Sequence, residues 1–244
     1  MECGISLTKK LTQKIRGRIV NGRNVEPPHS QPWMVTVSET KKNSNTKHSS
    51  YGCGGTLISR KHVLSALHCA RKCNDDGNCQ DKDINWATLG DHDKTKKDGE
   101  VYVPITKPYY WHPESRHVGR GAFTYDYVIF VLECCVEFSK KIQPACLTNR
   151  PNSELEGHLV GVYGWGNTEY GGVQSPVLQY ITVMVVNDSD CKNILNAQSP
   201  RIKSDGCADL MCYNPDYLMC LRDGQVLGKD ACQDDSGGNK KLPE

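Results

Sequence analysis

Long apolar runs are missing from this sequence: no stretch of its 244 residues approaches the length needed to cross a bilayer as a helix. The first residues, MECGISLTKKLTQKIRG, also lack the apolar segment of a secretory signal peptide, so the chain is expected to begin after, or without, its native leader. Charge of one sign is not in excess, since 30 basic and 28 acidic residues leave a formal net charge of +2. That balance provides no nucleic-acid footprint and no membrane-binding surface. Phenylalanine is scarce, with three residues against eleven tyrosines, so the aromatic content favours rings that also reach water. Helical periodicity is weak throughout, and no internal repeat stands out.

Cysteine is what the chain has in abundance. Thirteen are present, a number with little structural purpose in a reducing compartment and a clear one in an oxidising one. The close pairs Cys73/Cys79 and Cys207/Cys212 do not read as zinc sites, because neither has CxxC spacing or an accompanying HxxxH partner. Disulfides are the expectation, and each of these two pairs is a local candidate. The odd count leaves at least one cysteine without an internal partner.

Short apolar runs separated by Gly, Asn, Asp and Pro point to a barrel or sandwich. Strands are expected at Trp33–Ser38, Thr56–Ile58, Trp86–Leu89, Val101–Ile105, Val128–Leu132, Leu159–Tyr163 and Gln179–Val186. Lys41–Ser50 and Arg71–Asp83 read as exposed loops, the second stapled by Cys73 and Cys79. Phe138–Pro151, with two prolines, reads as a crossing between halves. A helical turn is expected near Asp188–Leu195, capped by Asp188 or Ser189.

Four segments carry a family signature: RIVNG at Arg18–Gly22, CGGTLISRKHVLSALHC at Cys53–Cys69, YDYVIFVL at Tyr125–Leu132, and KDACQDDSGG at Lys229–Gly238. YWHP at Tyr110–Pro113, IQPACL at Ile142–Leu147 and GWGNT at Gly164–Thr168 lie between them. Each is weak alone, but in this order and spacing the chain resembles the chymotrypsin/trypsin family of serine proteases from Cys3 to Gly238. The resemblance implies an all-β fold of two antiparallel Greek-key barrels, with the catalytic groups between them. It divides the chain into an activation segment (1–18), a first barrel half (19–140) and a second (141–244). The order His, Asp, Ser separates this family from subtilisin-like and α/β-hydrolase enzymes.

By that resemblance Ser236 is the nucleophile, His68 the general base and acid, and Asp126 the group that orients the imidazole. Taken alone, Ser236 is a turn serine, His68 a buried histidine and Asp126 a strand-end acid; the shared context reverses each reading. Asp230, six residues before Ser236, matches the floor of the specificity pocket and implies cleavage after Lys or Arg. Alone it is an exposed acid beside Lys229. Arg18–Ile19 resembles an activation site, whose cutting frees the Ile19 ammonium to pair with Asp235. The partners implied are protein or peptide substrates and an activating trypsin-like protease, in a secreted setting, with no cofactor and no metal. Asp91, Asp93 and Glu100 fall where some relatives bind calcium, but a solvated acidic loop is the reading preferred.

The resemblance also pairs Cys3 with Cys146, Cys53 with Cys69, and Cys191 with Cys220. Cys134 and Cys135 have no family counterpart, and Cys232 is left over because its family partner falls beyond residue 244. Two departures bear on activity. Asp234 stands where the family has a glycine whose backbone N–H, with that of Ser236, forms the oxyanion hole. After Gly238 the sequence ends in NKKLPE, where relatives continue through strands that complete the second barrel. An incomplete second barrel and weak activity are therefore expected, with a non-catalytic binding or regulatory homologue as the alternative.

Overall fold

The computed structural model describes residues 3–4, 22–39, 52–74, 76–118, 123–167, 173–197, 218–222 and 240–241. The Lys41–Ser50 loop expected from sequence lies outside these residues. Along the chain come β1 (Arg23–Asn24), β2 (Met34–Glu39), β3 (Gly52–Leu57), β4 (His62–Ser65) and α1 (Leu67–Ala70). Then follow β5 (Arg71–Cys73), β6 (Cys79–Asp81), β7 (Ile84–Leu89), β8 (Val101–Trp111) and β9 (Val128–Leu132). The remainder comprises a 3₁₀ turn (Asn152–Glu154), β10 (Leu159–Gly164), β11 (Gln179–Val186), α2 (Asp188–Ala197), β12 (Cys220–Arg222) and β13 (Lys240–Lys241). The class is all-β.

Six strands close into a barrel in the order β2-β3-β4-β9-β8-β7, with every neighbouring pair antiparallel. Alternation drives the closure: in β9, Val128, Phe130 and Leu132 are buried while Ile129 and Val131 are half-buried. Phe130, Val37, Val63 and Ala87 are fully buried members of one core cluster, with the Tyr109 ring edge-on to Phe130 at 5.0 Å. Tyr109 directs its hydroxyl to the carbonyl oxygens of Lys82 and Ile84. Strands β3 and β4 approach closely at Gly55, where a Cβ would stand 2.8 Å from a Val63 methyl. Strand β8 runs beyond the expected Ile105 to Trp111, with Pro108 inside a register shift between Thr106 and Tyr110.

A second, five-stranded sheet has the order β1-β11-β10-β13, and β12 pairs with β11. Its own core is smaller: Leu155, Val160, Val162, Ile181, Val183 and Val185. The two layers are stitched at the loop after β7. There the His92 carbonyl accepts from Trp165 Nε1 (3.2 Å) and from the Leu178 N–H (2.9 Å). The segment from Glu133 to Pro151, without regular structure, crosses between them.

Two local expectations are corrected. Arg71–Asp83 is not merely a loop, because β5 and β6 form an antiparallel ladder with Cys73 opposite Cys79. The Arg71 guanidinium holds Asp81 at 2.8 Å across it. The cap of α2 is Asn187 instead of Asp188 or Ser189: its side-chain oxygen accepts the Asp190 N–H (2.8 Å), and its amide donates to the Asp190 carboxylate (2.8 Å). Disulfides join Cys3 to Cys146, Cys53 to Cys69, Cys73 to Cys79 and Cys191 to Cys220. No helix among the described residues is long and apolar enough to cross a membrane.

Candidate active site

The barrel register brings together two residues that are 58 positions apart. Strands β4 and β9 lie side by side with Ser65 opposite Val128. The chain leaves β4 at Ser65 for α1 and enters β9 at Val128, so His68 and Asp126 emerge at the same end of the barrel. Leu67 and Cys69, on either side of His68, are buried. The Cys53–Cys69 bond ties this turn back to β3. Ser65 completes the support from below, its hydroxyl donating to the Gly54 carbonyl at 2.7 Å.

Asp126 engages His68 twice. One carboxylate oxygen accepts the His68 backbone N–H at 2.9 Å, and the other lies 2.7 Å from Nδ1. A carboxylate only accepts, so Nδ1 carries a hydrogen, and in the neutral ring Nε2 is then the nitrogen with the lone pair. Two bonds to one carboxylate hold both the ring and the backbone from which it projects. The side chains are 36% and 28% exposed, which leaves the imidazole open to an incoming group.

The turn before Asp126 is unusual. Tyr125 has φ of 48°, in the left-handed region that an aromatic residue seldom adopts. The His112 ring stacks on it at 4.1 Å and 18°, and the Tyr127 N–H donates to its carbonyl at 2.7 Å. Thr124, one residue earlier, is tied to Ser115 and Arg116 through three hydrogen bonds. Sequence reading passed over Tyr125 as a special position, and His112 entered only within YWHP. A backbone angle leaves no mark in one sequence, although an aromatic pair bracketing an acid is a usable signal.

Ser236, Asp230, Asp234, Asp235, Arg18 and Ile19 lie outside the described residues, as do Cys207, Cys212 and Cys232. Of the acids weighed for calcium, Asp93 accepts from Thr95 Oγ1 at 2.6 Å and from Lys96 Nζ at 2.7 Å. Lys96 and then Thr95 hold its carboxyl down at about 2. Glu100 accepts from the Asp98 N–H and the Tyr102 hydroxyl. Each of these two is thus engaged by its own protein donors. Among the described residues, Cys53, His68 and Cys69 have ligand atoms within 4.8 Å of one another, but their disulfide removes both sulfurs as thiolate ligands.

The family model described as Trypsin matches residues 19–239. The chain belongs to the trypsin family. Among curated relatives, ovochymase-2 of Mus musculus is 28% identical over 98% of this chain and 35% of its own length. Serine protease snk of Drosophila melanogaster is 30% identical over 89% of this chain and 45% of its own. Clotting factor G beta subunit of Tachypleus tridentatus is 29% identical over 91% of this chain and 64% of its own. The chain therefore spans less than two-thirds of these relatives. Among solved structures, GrC superposes with a TM-score of 0.66 at 23% identity, covering 91% of this chain and 82% of that one. Neuropsin, a serine protease expressed in the limbic system of mouse brain, gives 0.65 at 21%, covering 91% and 81%. At those identities the likeness speaks for the fold.

The His68–Asp126 arrangement is an imidazole held in one orientation by a carboxylate behind it. What it can do chemically is accept a proton at Nε2 and keep the resulting positive charge next to a carboxylate. A hydroxyl nucleophile needs such a base within hydrogen-bond reach, because it is a weak nucleophile at its own pKa.

Proposed function

We propose that this trypsin-family chain is a serine endopeptidase that cuts after Lys or Arg, is secreted, and is made as a zymogen activated by cleavage between Arg18 and Ile19. The observation that carries the catalytic reading is the double contact of Asp126 with His68, at 2.9 and 2.7 Å. It turns Nδ1 toward Asp126, which supports Nε2 as the proton acceptor that the base must present to Ser236. The Ser236 oxygen attacks the substrate carbonyl carbon while its proton passes to Nε2. The imidazolium then gives that proton to the departing amine, leaving an acyl-Ser236 ester. Water attacks the ester, losing its proton to Nε2, which returns it to Ser236 as the acid product leaves. Asp126 remains a carboxylate throughout and stabilises the imidazolium.

Asp230 supports the Lys/Arg preference, because a carboxylate in a confined pocket selects a cationic side chain. Secretion is supported by the four disulfides, which belong to an oxidising compartment. The Cys3–Cys146 bond supports the zymogen reading: residues 1–18 would stay attached after a cut at Arg18. The substrates are proteins or peptides, and the activator is a protease that cuts after arginine.

One observation favours a second reading. Asp234 stands at the oxyanion-hole position, where an acid opposes the negative charge that develops in the reaction. On that reading the chain is a non-catalytic homologue that binds protein partners. A fluorophosphonate probe decides between them, applied to the folded chain after cleavage at Arg18, with Ser236→Ala as control. Labelling that requires Ser236 is the result expected of the endopeptidase. A folded, cleaved chain that takes no label is the non-catalytic homologue.

A further inference from the structure

Among the described residues, four disulfides leave Cys134 and Cys135 as the free cysteines, and both are exposed. Two adjacent free thiols on the surface stand out where every other cysteine among the described residues is in a disulfide, since exposed thiols in an oxidising compartment enter thiol–disulfide exchange. The turn that carries them is held in place. The Glu133 N–H donates to the Pro104 carbonyl and the Val136 N–H to the Arg60 carbonyl, both at 2.8 Å. Val136 is buried and anchors the turn, so the two thiols project from a fixed base.

We propose that the Cys134–Cys135 turn joins two copies of this chain covalently. The pattern is self-complementary: across a two-fold axis, Cys134 of one copy faces Cys135 of the other, and the reverse pair follows by symmetry. Charge is compatible, because the exposed Arg60–Glu137 pair, 3.5 Å apart, presents both signs at this turn. Each bond forms by exchange with a small-molecule disulfide such as oxidised glutathione. One cysteine thiolate displaces a small thiol to give a mixed disulfide, and the second copy's thiolate displaces the other. Two cysteine thiols are oxidised and one small disulfide is reduced to two thiols. Location favours the arrangement. The thiols follow the C-terminal end of β9 and Asp126 precedes its N-terminal end, so a strand of about 17 Å separates junction from site. The imidazole of each copy stays open.

The test uses the full chain secreted from an oxidising host and incubated with oxidised and reduced glutathione. Non-reducing electrophoresis is expected to show a species of twice the monomer mass that collapses on reduction. Mixing ¹⁴N- and ¹⁵N-labelled chains and mapping peptides is expected to reveal mixed-isotope cross-links through residues 134 and 135. The Cys134→Ser/Cys135→Ser variant is expected to remain monomeric with an unchanged thermal melt. A dimer that persists in that variant overturns the proposal. So does a monomer whose two thiols are free, capped by glutathione, or closed into a ring with each other. The readout is mass and linkage, so it stands apart from the peptidase reading.

Discussion

At the scale of single residues, the two contacts of Asp126 separate orientation from charge. Asparagine in its place keeps the volume, but its amide end donates, which permits the imidazole tautomer with hydrogen on Nε2. Asp126→Asn is therefore expected to fold normally and to lose most of kcat with little change in KM. The family precedent for this change is a fall of about 10⁴-fold, a magnitude inherited from that precedent. Steady-state kinetics on a Lys-containing amide substrate, beside a thermal melt, checks it; an unchanged kcat would remove Asp126 from the mechanism. Asp234 supplies the converse case. On the proposed mechanism its side chain opposes the oxyanion charge, and since a weakened oxyanion hole typically costs 10²–10³ in rate, Asp234→Gly is expected to raise kcat by up to roughly that factor. Burst titration of active sites distinguishes a faster enzyme from a larger active fraction. The His68–Asp126 contact is legible in sequence because chemistry restricts the residue types that make it. Tyr125 is not, because what sets it apart is a φ of 48° held by the His112 ring, and neither is written in residue identity.

At the scale of elements, legibility followed hydrophobic pattern and stopped where partners decide. Val128–Leu132 and Gln179–Val186 appear with the bounds their apolar alternation implies. Strand β4, HVLS, was missed because four residues beginning with an exposed histidine carry too little pattern. Its register against β9 nevertheless sets where His68 falls relative to Asp126. The hairpin of β5 and β6 was read as a loop because its residues are mainly polar, and its ladder rests on Cys73–Cys79 and the Arg71–Asp81 pair. Helix α2 was expected, but its cap was placed one or two residues late: Asp188 and Ser189 are both good cap types, and geometry selects Asn187. Loss of a cap of this kind costs about 1 kcal/mol. Asn187→Ala is accordingly expected to lower the denaturant midpoint, whereas Asn187→Asp, which keeps the accepting oxygen, is expected to recover most of it. Equal losses in both would shift the stabilisation from the Asp190 N–H to the donated amide bond.

At the scale of the molecule, the junction between barrel and second sheet holds titratable groups with opposing effects. His29 and His92 face each other with ring centres 5.6 Å apart, and His29 Nε2 lies 3.1 Å from Asp98. Burial and then Lys141 pull His29 below its ordinary value and outweigh Asp98; burial and then His29 do the same to His92, against Asp98, Asp93 and Glu26. A folded-state pKa below the unfolded one means the folded state resists protonation, so these histidines weaken folding as pH falls through about 6.5. Asp91 acts in the other direction. Burial, against the opposing pull of Lys94, raises it to about 6 from 3.8, with Asp98 and Glu100 adding to the rise. One of its carboxylate oxygens is buried without a hydrogen-bond partner. The folded state thus binds the Asp91 proton more tightly than the unfolded chain does. The cost is absent below about 4, grows as pH rises to about 6, and is fully present above. A shift of about two units corresponds to roughly 3 kcal/mol, and partial solvent access reduces that to about 1–2 kcal/mol. Asp91→Asn removes the charge and is expected to raise thermal stability at pH 8 by that amount, with the gain fading to nothing near pH 4. Melting curves of parent and variant between pH 4 and 8 are therefore expected to converge on the acid side. Curves offset equally at every pH would place the effect in packing rather than in charge. Convergence would assign the neutral-pH cost at this junction to the Asp91 carboxylate, while His29 and His92 oppose folding on the acid side.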